Sequence, residues 1–149
     1  DDADAELPFY MVEIAPYRYK PVPEVSYSSM LREAQHEAAA AIPNCGIVVT
    51  NDLVDPFEMD NIHPMRKKEV GDRLAYLALF NDYGIKGFDP KAPVAKKFEF
   101  KGDAAYATID VDDMGLSPIN LELEGFELAG EDKVFYPAKA VLEKDRKTG

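Results

Sequence analysis

The chain has 149 residues, 17 basic against 28 acidic side chains, a net charge of −11 and 46% hydrophobic residues. The apolar share is ordinary for a folded protein and excludes wholesale disorder, and the length suits one domain, or one small domain with part of a second. An acidic balance with no basic cluster argues against nucleic acid and anionic membranes, both held through concentrated Lys and Arg, and no apolar run approaches the roughly 18 residues of a membrane span.

In chain order, residues 1–6 are acidic and no long apolar core follows, so the start does not read as a signal peptide. Residues 8–16 form a short β-rich run bounded by Pro8 and Pro16, which predicts a strand buried on both faces. A loop rich in Tyr and Pro leads to a helix that Ser28 or Ser29 caps and that runs to about Ile42. Met30, Leu31, Ala34, Ala38 and Ala41 form its expected core face, and Pro43-Asn44 ends it. Residues 46–50 predict a second buried strand, and an irregular acidic loop spans 51–61. A longer helix is expected to start at Pro64, with Val70, Leu74, Leu77 and Ala78 inward and Gly84 as its C-terminal cap. Strand, helix, strand, helix implies a parallel sheet with right-handed crossovers.

From about Phe88 the pattern changes to period two: Phe98-Glu99-Phe100, then 106–111, Leu121-Glu122-Leu123 and 134–142, separated by turn residues at Gly102-Asp103, Gly115, Gly125 and Gly130. This predicts antiparallel β structure with one wet face. The fold class is therefore α/β followed by all-β, with an α/β part over 1–88 and a β part over 89–149. The tail at 143–149 resembles a hairpin turn whose return strand lies outside the chain. A two-stranded parallel sheet leaves unpaired edges, through which self-association is expected.

The residue counts restrict the chemistry. Cys45 is the only cysteine and His36 and His63 the only histidines, so no internal disulfide forms and a Cys/His zinc site lacks ligands. The cluster Asp110, Asp112, Asp113 lacks the spacing and closing Glu of an EF-hand loop and reads as a solvated turn. No cofactor or metal is expected. Catalytic potential concentrates in Asp60-Asn61-Ile62-His63-Pro64, in the loop after a predicted strand, where open α/β sheets bind ligands. An Asp three residues before a His can set a carboxylate against one ring nitrogen, fixing the tautomer and stabilising the imidazolium formed when the other takes a proton. The same motif also arises as a simple helix-start cap.

Several runs together carry a family resemblance. Residues 8–17 resemble the strand preceding the last third of the catalytic domain of sialate O-acetylesterases, and the run Leu31-Arg32-Glu33-Ala34-Gln35 followed by 42–53 is similar to the same family. Asn61-Ile62-His63-Pro64 with the run Val70-Gly71-Asp72-Arg73-Leu74-Ala75 resembles the family's Asp-x-x-His-Pro block and the helix after it, and 123–130 and 135–140 resemble its C-terminal β region. The resemblance implies a serine esterase of the SGNH-hydrolase type, with a flavodoxin-like parallel sheet, that removes O-acetyl groups from sialic acids through an acyl-enzyme. It gives His63 the role of general base and Asp60 that of its orienting partner. It further implies a periplasmic, secreted or lysosomal parent enzyme and acetylated sialic acid, or another acetylated carbohydrate such as xylan, as partner.

The sequence departs from the family at the nucleophile. Its serines are Ser26, Ser28, Ser29 and Ser117, none in a Gly-Gln-Ser-Asn or Gly-x-Ser-x-Gly block, and the family's oxyanion-hole residues have no counterpart here. The chain is thus expected to be a C-terminal fragment that holds the base half of a triad and is inactive alone. Two alternatives compete: a carbohydrate-binding or packing β module, and a separate enzyme with a carboxylate nucleophile. Elsewhere, His36 reads as solvent-facing, Cys45 as a small buried residue at a strand start, and Arg66, Lys67 and Lys68 as a solvated first helical turn. Tyr17, Tyr19 and Tyr27 read either as sugar-stacking residues or as cover for the core.

Overall fold

A computed structural model describes residues 7–18, 27–110 and 123–143. Ser26, Tyr19, Asp112, Asp113 and Ser117, singled out above, lie outside them, as does the strand expected at Leu121-Glu122. The described residues form two compact units, one of 7–18 and 27–92, the other of 93–110 and 123–143. The first is α/β and the second antiparallel β, in the order expected.

In the first unit, β1 (Phe9–Val12) and β2 (Cys45–Val48) pair in parallel, with Tyr10 opposite Gly46 and Val12 opposite Val48. A backbone bond from Phe9 N–H to Asn44 O (3.0 Å) and another from Glu13 N–H to Val48 O (3.0 Å) extend the ladder at both ends. Between the strands runs α1 (Tyr27–Ala41), which packs on β2. It starts one residue before Ser28, and it ends where Pro43 cannot continue it and Asn44 takes a left-handed φ of 52°. The second helix, α2 (Lys67–Asn81), packs on both strands. It starts three residues after Pro64, because the Met65 N–H is held by Glu58 (2.8 Å) and the Lys67 N–H by Met65 O (2.7 Å), which keeps 64–66 in the loop. Gly84, at φ +66°, turns the chain just past its end, as expected.

The core is thin. Val48, Leu53, Leu77 and Ala39 are buried, while most of β1 and β2 is only half-buried, so the expectation of strands covered on both faces is corrected: among the described residues the sheet has two strands, and each keeps a free edge. The inward face of α2 is the one expected, with Leu77 buried and Val70, Leu74 and Ala78 half-buried.

For α1 the expected face is reversed. Met30 is 58% exposed, and Leu31, Ala34, Ala38 and Ala41 are exposed too. The face toward the sheet carries Arg32, Gln35, His36 and Ala39. The cause lies at the end of β1. Ile14 N–H has left the ladder and needs an acceptor, which Gln35 Oε1 supplies at 2.9 Å, and the buried Glu13 carboxylate takes His36 as partner. Buried polar groups without partners cost more than burying a methionine returns, so the polar side chains win the inward face.

In the second unit, β3 (Val94–Lys101) and β4 (Ala104–Asp110) form an antiparallel hairpin through Gly102 (φ 62°), with a bulge between Ala95 and Lys97. A second pair, β5 (Glu127–Ala129) and β6 (Phe135–Pro137), is joined by a turn in which Lys133 has a φ of 57°, and Leu123 bridges to Ala140. The alternation in β3 places Phe98 and Phe100 on one face and Lys97, Glu99 and Lys101 on the other. The expected single wet face is not what these ribbons show: Phe100 is 74% exposed and every residue of β3 is exposed, because a two-stranded ribbon has no layer of its own to cover either face.

Candidate functional site

The site lies in the segment between β2 and α2, at the carboxyl ends of the two strands. Its first anchor is Leu53, buried, whose N–H bonds to Thr50 O at 3.0 Å. Next, Asp55 precedes a single 3-10 turn (Pro56–Glu58), with Pro56 in its first position, where the missing N–H costs nothing. Glu58 is 3% exposed, and its carboxylate accepts the Asp55 N–H (3.2 Å) with Oε2 and the Met65 N–H (2.8 Å) with Oε1. The chain between those two points carries Asp60 and His63. Within it, Asn61 N–H bonds to Glu58 O (2.7 Å), and Asn61 Oδ1 accepts the His63 N–H (3.0 Å). Arg66 closes the base of the loop on Asp55 at 3.0 Å.

Asp60 and His63 thus share one loop, both side chains exposed. Asp60 Oδ2 accepts from Arg18 Nη1 at 3.1 Å, and among the described residues no hydrogen bond joins Asp60 to the His63 ring. Arg18 reaches this position because its own N–H bonds to Met59 O at 2.6 Å, which ties the segment after β1 to the loop.

Two further clusters steady the strand ends. Glu13, buried at 3% exposure, accepts the Thr50 N–H with Oε1 (2.8 Å) and lies 3.0 Å from His36 Nε2 through Oε2. His36 was expected to face solvent. It is corrected to a partner of Glu13, with its ring still partly exposed. Arg73 of α2 donates to Val49 O (2.7 Å) and, bidentately, to Asp52 Oδ1 (2.8 Å) and Oδ2 (2.5 Å). The hydrogen bond from Arg73 holds the Asp52 carboxyl below its ordinary range, with burial opposing and the guanidinium charge adding to the fall.

The other residues singled out in the sequence fall as follows. Cys45 opens β2, half-buried and unoxidised. Ser28 and Ser29 lie in the first turn of α1, half-buried and exposed respectively. Lys67 and Lys68 are exposed in the first turn of α2, where Lys68 pairs with Asp72 at 2.5 Å, while Arg66 is half-buried on Asp55. Asp110 pairs with Lys96 at 3.4 Å. Tyr17 is half-buried beside the site's Arg18. Among the described residues no cluster of His, Cys, Asp and Glu can hold a metal ion, and no helix is long and apolar enough to cross a membrane.

Glu13, Glu58, Arg18 and Arg73 escaped the sequence reading. For two of them a signal was present. Asp55-Pro56-Phe57-Glu58 has the spacing of a capping box with Pro at the first helical position, and Glu13 is an acidic residue inside an otherwise apolar run. Nothing local marks Arg18 or Arg73, whose partners lie 42 and 21 positions away.

No protein-family model matches the chain, and no curated protein matches it. Among solved structures, the chain is similar to a carbohydrate acetylesterase from Xanthomonas citri, at 32% identity and a TM-score of 0.73, over 93% of this chain and 31% of that one. The chain therefore spans about a third of that protein's length.

Proposed function

We propose that this chain is the C-terminal part of a carbohydrate O-acetylesterase and supplies the base half of its Ser-His-Asp triad, with His63 as general base and Asp60 as its orienting carboxylate. The observation that carries this reading is the likeness to a carbohydrate acetylesterase over 93% of the chain, taken with a loop at the carboxyl ends of the strands that holds both Asp60 and His63. Residues 1–88 would then belong to an SGNH-type catalytic domain and 89–149 to its β domain, with the nucleophile outside this chain.

The chemistry follows from the residue types. A serine hydroxyl attacks the acetyl carbonyl only as a positioned base removes its proton, and His63 is that base. Asp60 must turn from Arg18 to the second ring nitrogen, where it fixes the tautomer and stabilises the imidazolium. The imidazolium then protonates the departing sugar oxygen, and a water activated by His63 hydrolyses the acetyl-enzyme. Within this reading we propose O-acetylated sialic acid as substrate, with acetylated xylan or another polysaccharide as the alternative.

The test is acetate release from O-acetylated sialic acid and acetylated xylan by the gene product that carries this chain. His63→Ala should abolish turnover, and Asp60→Asn should lower kcat by about 10³- to 10⁴-fold, the loss expected when the base is left in the wrong tautomer. The 149-residue chain alone should hydrolyse p-nitrophenyl acetate no faster than its His63→Ala variant. Turnover that survives His63→Ala in the gene product overturns the reading.

One observation favours a second reading. The exposed rings of Phe98 and Phe100 share one face of the β3–β4 hairpin, a shape on which sugar rings stack. Calorimetric titration of the chain with acetylated and free sialic acid decides it. Sub-millimolar binding that Phe100→Ala removes would make the β unit a carbohydrate-binding module.

A further inference from the structure

The buried carboxylate of Glu58 touches none of the groups assigned a chemical role, yet it bridges both stems of the loop that carries them. We infer that Glu58 is the positioning residue of the Asp60–His63 loop, and this rests on the reading of those two residues as the base half of the triad. A carboxylate at 3% exposure is costly unless hydrogen bonds satisfy both oxygens, and here each accepts one backbone N–H: Asp55 before the loop, Met65 after it. These points are ten residues apart, and the loop between them has no strand or long helix of its own, only the turn that Glu58 itself ends.

The remaining bonds extend the same clamp. Glu58 O receives the Asn61 N–H, and Asn61 Oδ1 receives the His63 N–H, so the backbone of His63 is referred, through one side chain, to the residue whose carboxylate is buried. Arg66, next to Met65, holds Asp55. Catalytic geometry tolerates errors of only about half an ångström, and an exposed loop reaches that tolerance only when residues beneath it fix its backbone. Glu58 is the buried carboxylate in that place. Glutamine is close to isosteric, but its amide NH₂ must face one of the two N–H donors, so Glu58→Gln keeps the packing and breaks one arm of the clamp.

The experiment uses NMR on the 149-residue chain, where two histidines make the ring signals simple to assign, and kinetics on the gene product that carries it. In the unaltered chain, the amides of Asp55 and Met65 should exchange at least about tenfold more slowly than that of exposed Ile62, as clamped amides do. Equal exchange overturns the inference without any variant. In Glu58→Gln, exchange at Asp55 or at Met65, whichever amide then faces the glutamine NH₂, should accelerate by about tenfold or more, the His63 ring signals should move or broaden, and those of His36 should stay in place. In the gene product the same substitution should lower kcat while leaving KM near its original value, because substrate contacts are untouched and only the base is displaced. A Glu58→Gln protein whose His63 signals and kcat match the original overturns the clamp and leaves the esterase reading standing if His63→Ala is dead. Turnover that survives His63→Ala removes the esterase reading and with it the role inferred for Glu58, even where Met65 exchange is slow.

Discussion

Glu13 and His36 meet at 3.0 Å across the inward face of α1, and the other oxygen of Glu13 holds the Thr50 N–H just beyond β2. A single buried carboxylate thereby joins β1, α1 and the exit of β2, the point from which the candidate loop departs. The bond explains why α1 turns a largely polar face inward and leaves Ala34, Ala38 and Ala41 outside.

Glu13→Ala should therefore destabilise the first unit by about 2–4 kcal/mol, since it leaves a buried N–H without an acceptor and removes the packing of the side chain. Glu13→Gln, which can still accept from Thr50, should cost about 1 kcal/mol. Urea unfolding followed by far-ultraviolet circular dichroism measures both, and an unchanged midpoint for Glu13→Ala would remove the account of α1 given above.

Gly46 should tolerate no side chain. A Cβ there would lie 2.8 Å from Cδ1 and 3.0 Å from Cε1 of Tyr10, its partner in the ladder, and 3.4 Å from Leu77 Cδ1. The ring cannot yield freely, because the Tyr10 hydroxyl donates to Asp82 at 2.9 Å beyond α2. Gly46→Ala should cost about 1–3 kcal/mol through overpacking and should weaken the Tyr10 to Asp82 bond. Comparing Gly46→Ala in the original and in a Tyr10→Ala background measures the coupling, and the penalty should shrink in the second.

Asp52 and Arg73 set part of the response to acid. The folded-state pKa of Asp52 is lowered by its hydrogen bond with Arg73, so this carboxylate adds stability above its unfolded value, near the ordinary 3.8, and loses it as pH falls through the lower folded value. Below about pH 4, then, Asp52→Asn should flatten the fall in stability, with the largest difference from the original protein at neutral pH. Thermal melting from pH 2.5 to 7 reads the slope. A variant curve parallel to the original would show that the pair adds nothing to acid sensitivity.

Arg18 and Asp60 form an exposed pair, with side-chain exposures of 65% and 72%, and such pairs are worth little. Arg18→Ala should change the unfolding free energy by less than about 0.5 kcal/mol, and the small difference should vanish at high salt, where exposed charges are screened. The Arg18 N–H to Met59 O bond uses the backbone and should survive the substitution. A loss above about 1 kcal/mol would mean that the guanidinium holds the loop, a weight surface pairs rarely carry.

Much of the first unit could be read along the chain because its cues are local. Proline and asparagine at 43–44 stop a helix wherever they occur, the spacing of Val70, Leu74, Leu77 and Ala78 marks one face, and Gly84 supplies a left-handed turn. The alternation of Phe98, Glu99 and Phe100 marks a strand on the same grounds. The candidate site was legible only as a pair of residue types at a spacing, Asp60 and His63. Of their supports Glu58 carried a local cue, its capping-box spacing from Asp55, whereas Asp60's present partner carried none, since Arg18 lies 42 positions from Asp60.

What the amino-acid sequence determined by itself is the order of elements and the loop on which Asp60 and His63 sit, because helix stops, turn residues and periodicity act over a few residues. Which face of α1 turns inward, and what anchors the loop, only the tertiary structure decided. Both depend on where buried carboxylates find donors, Glu13 at His36 and Thr50, and Glu58 at Asp55 and Met65. The cost of burying an unpaired charge exceeds the gain from burying a small apolar side chain, so the pairings of Glu13, which reach 23 and 37 positions along the chain, override the local hydrophobic pattern.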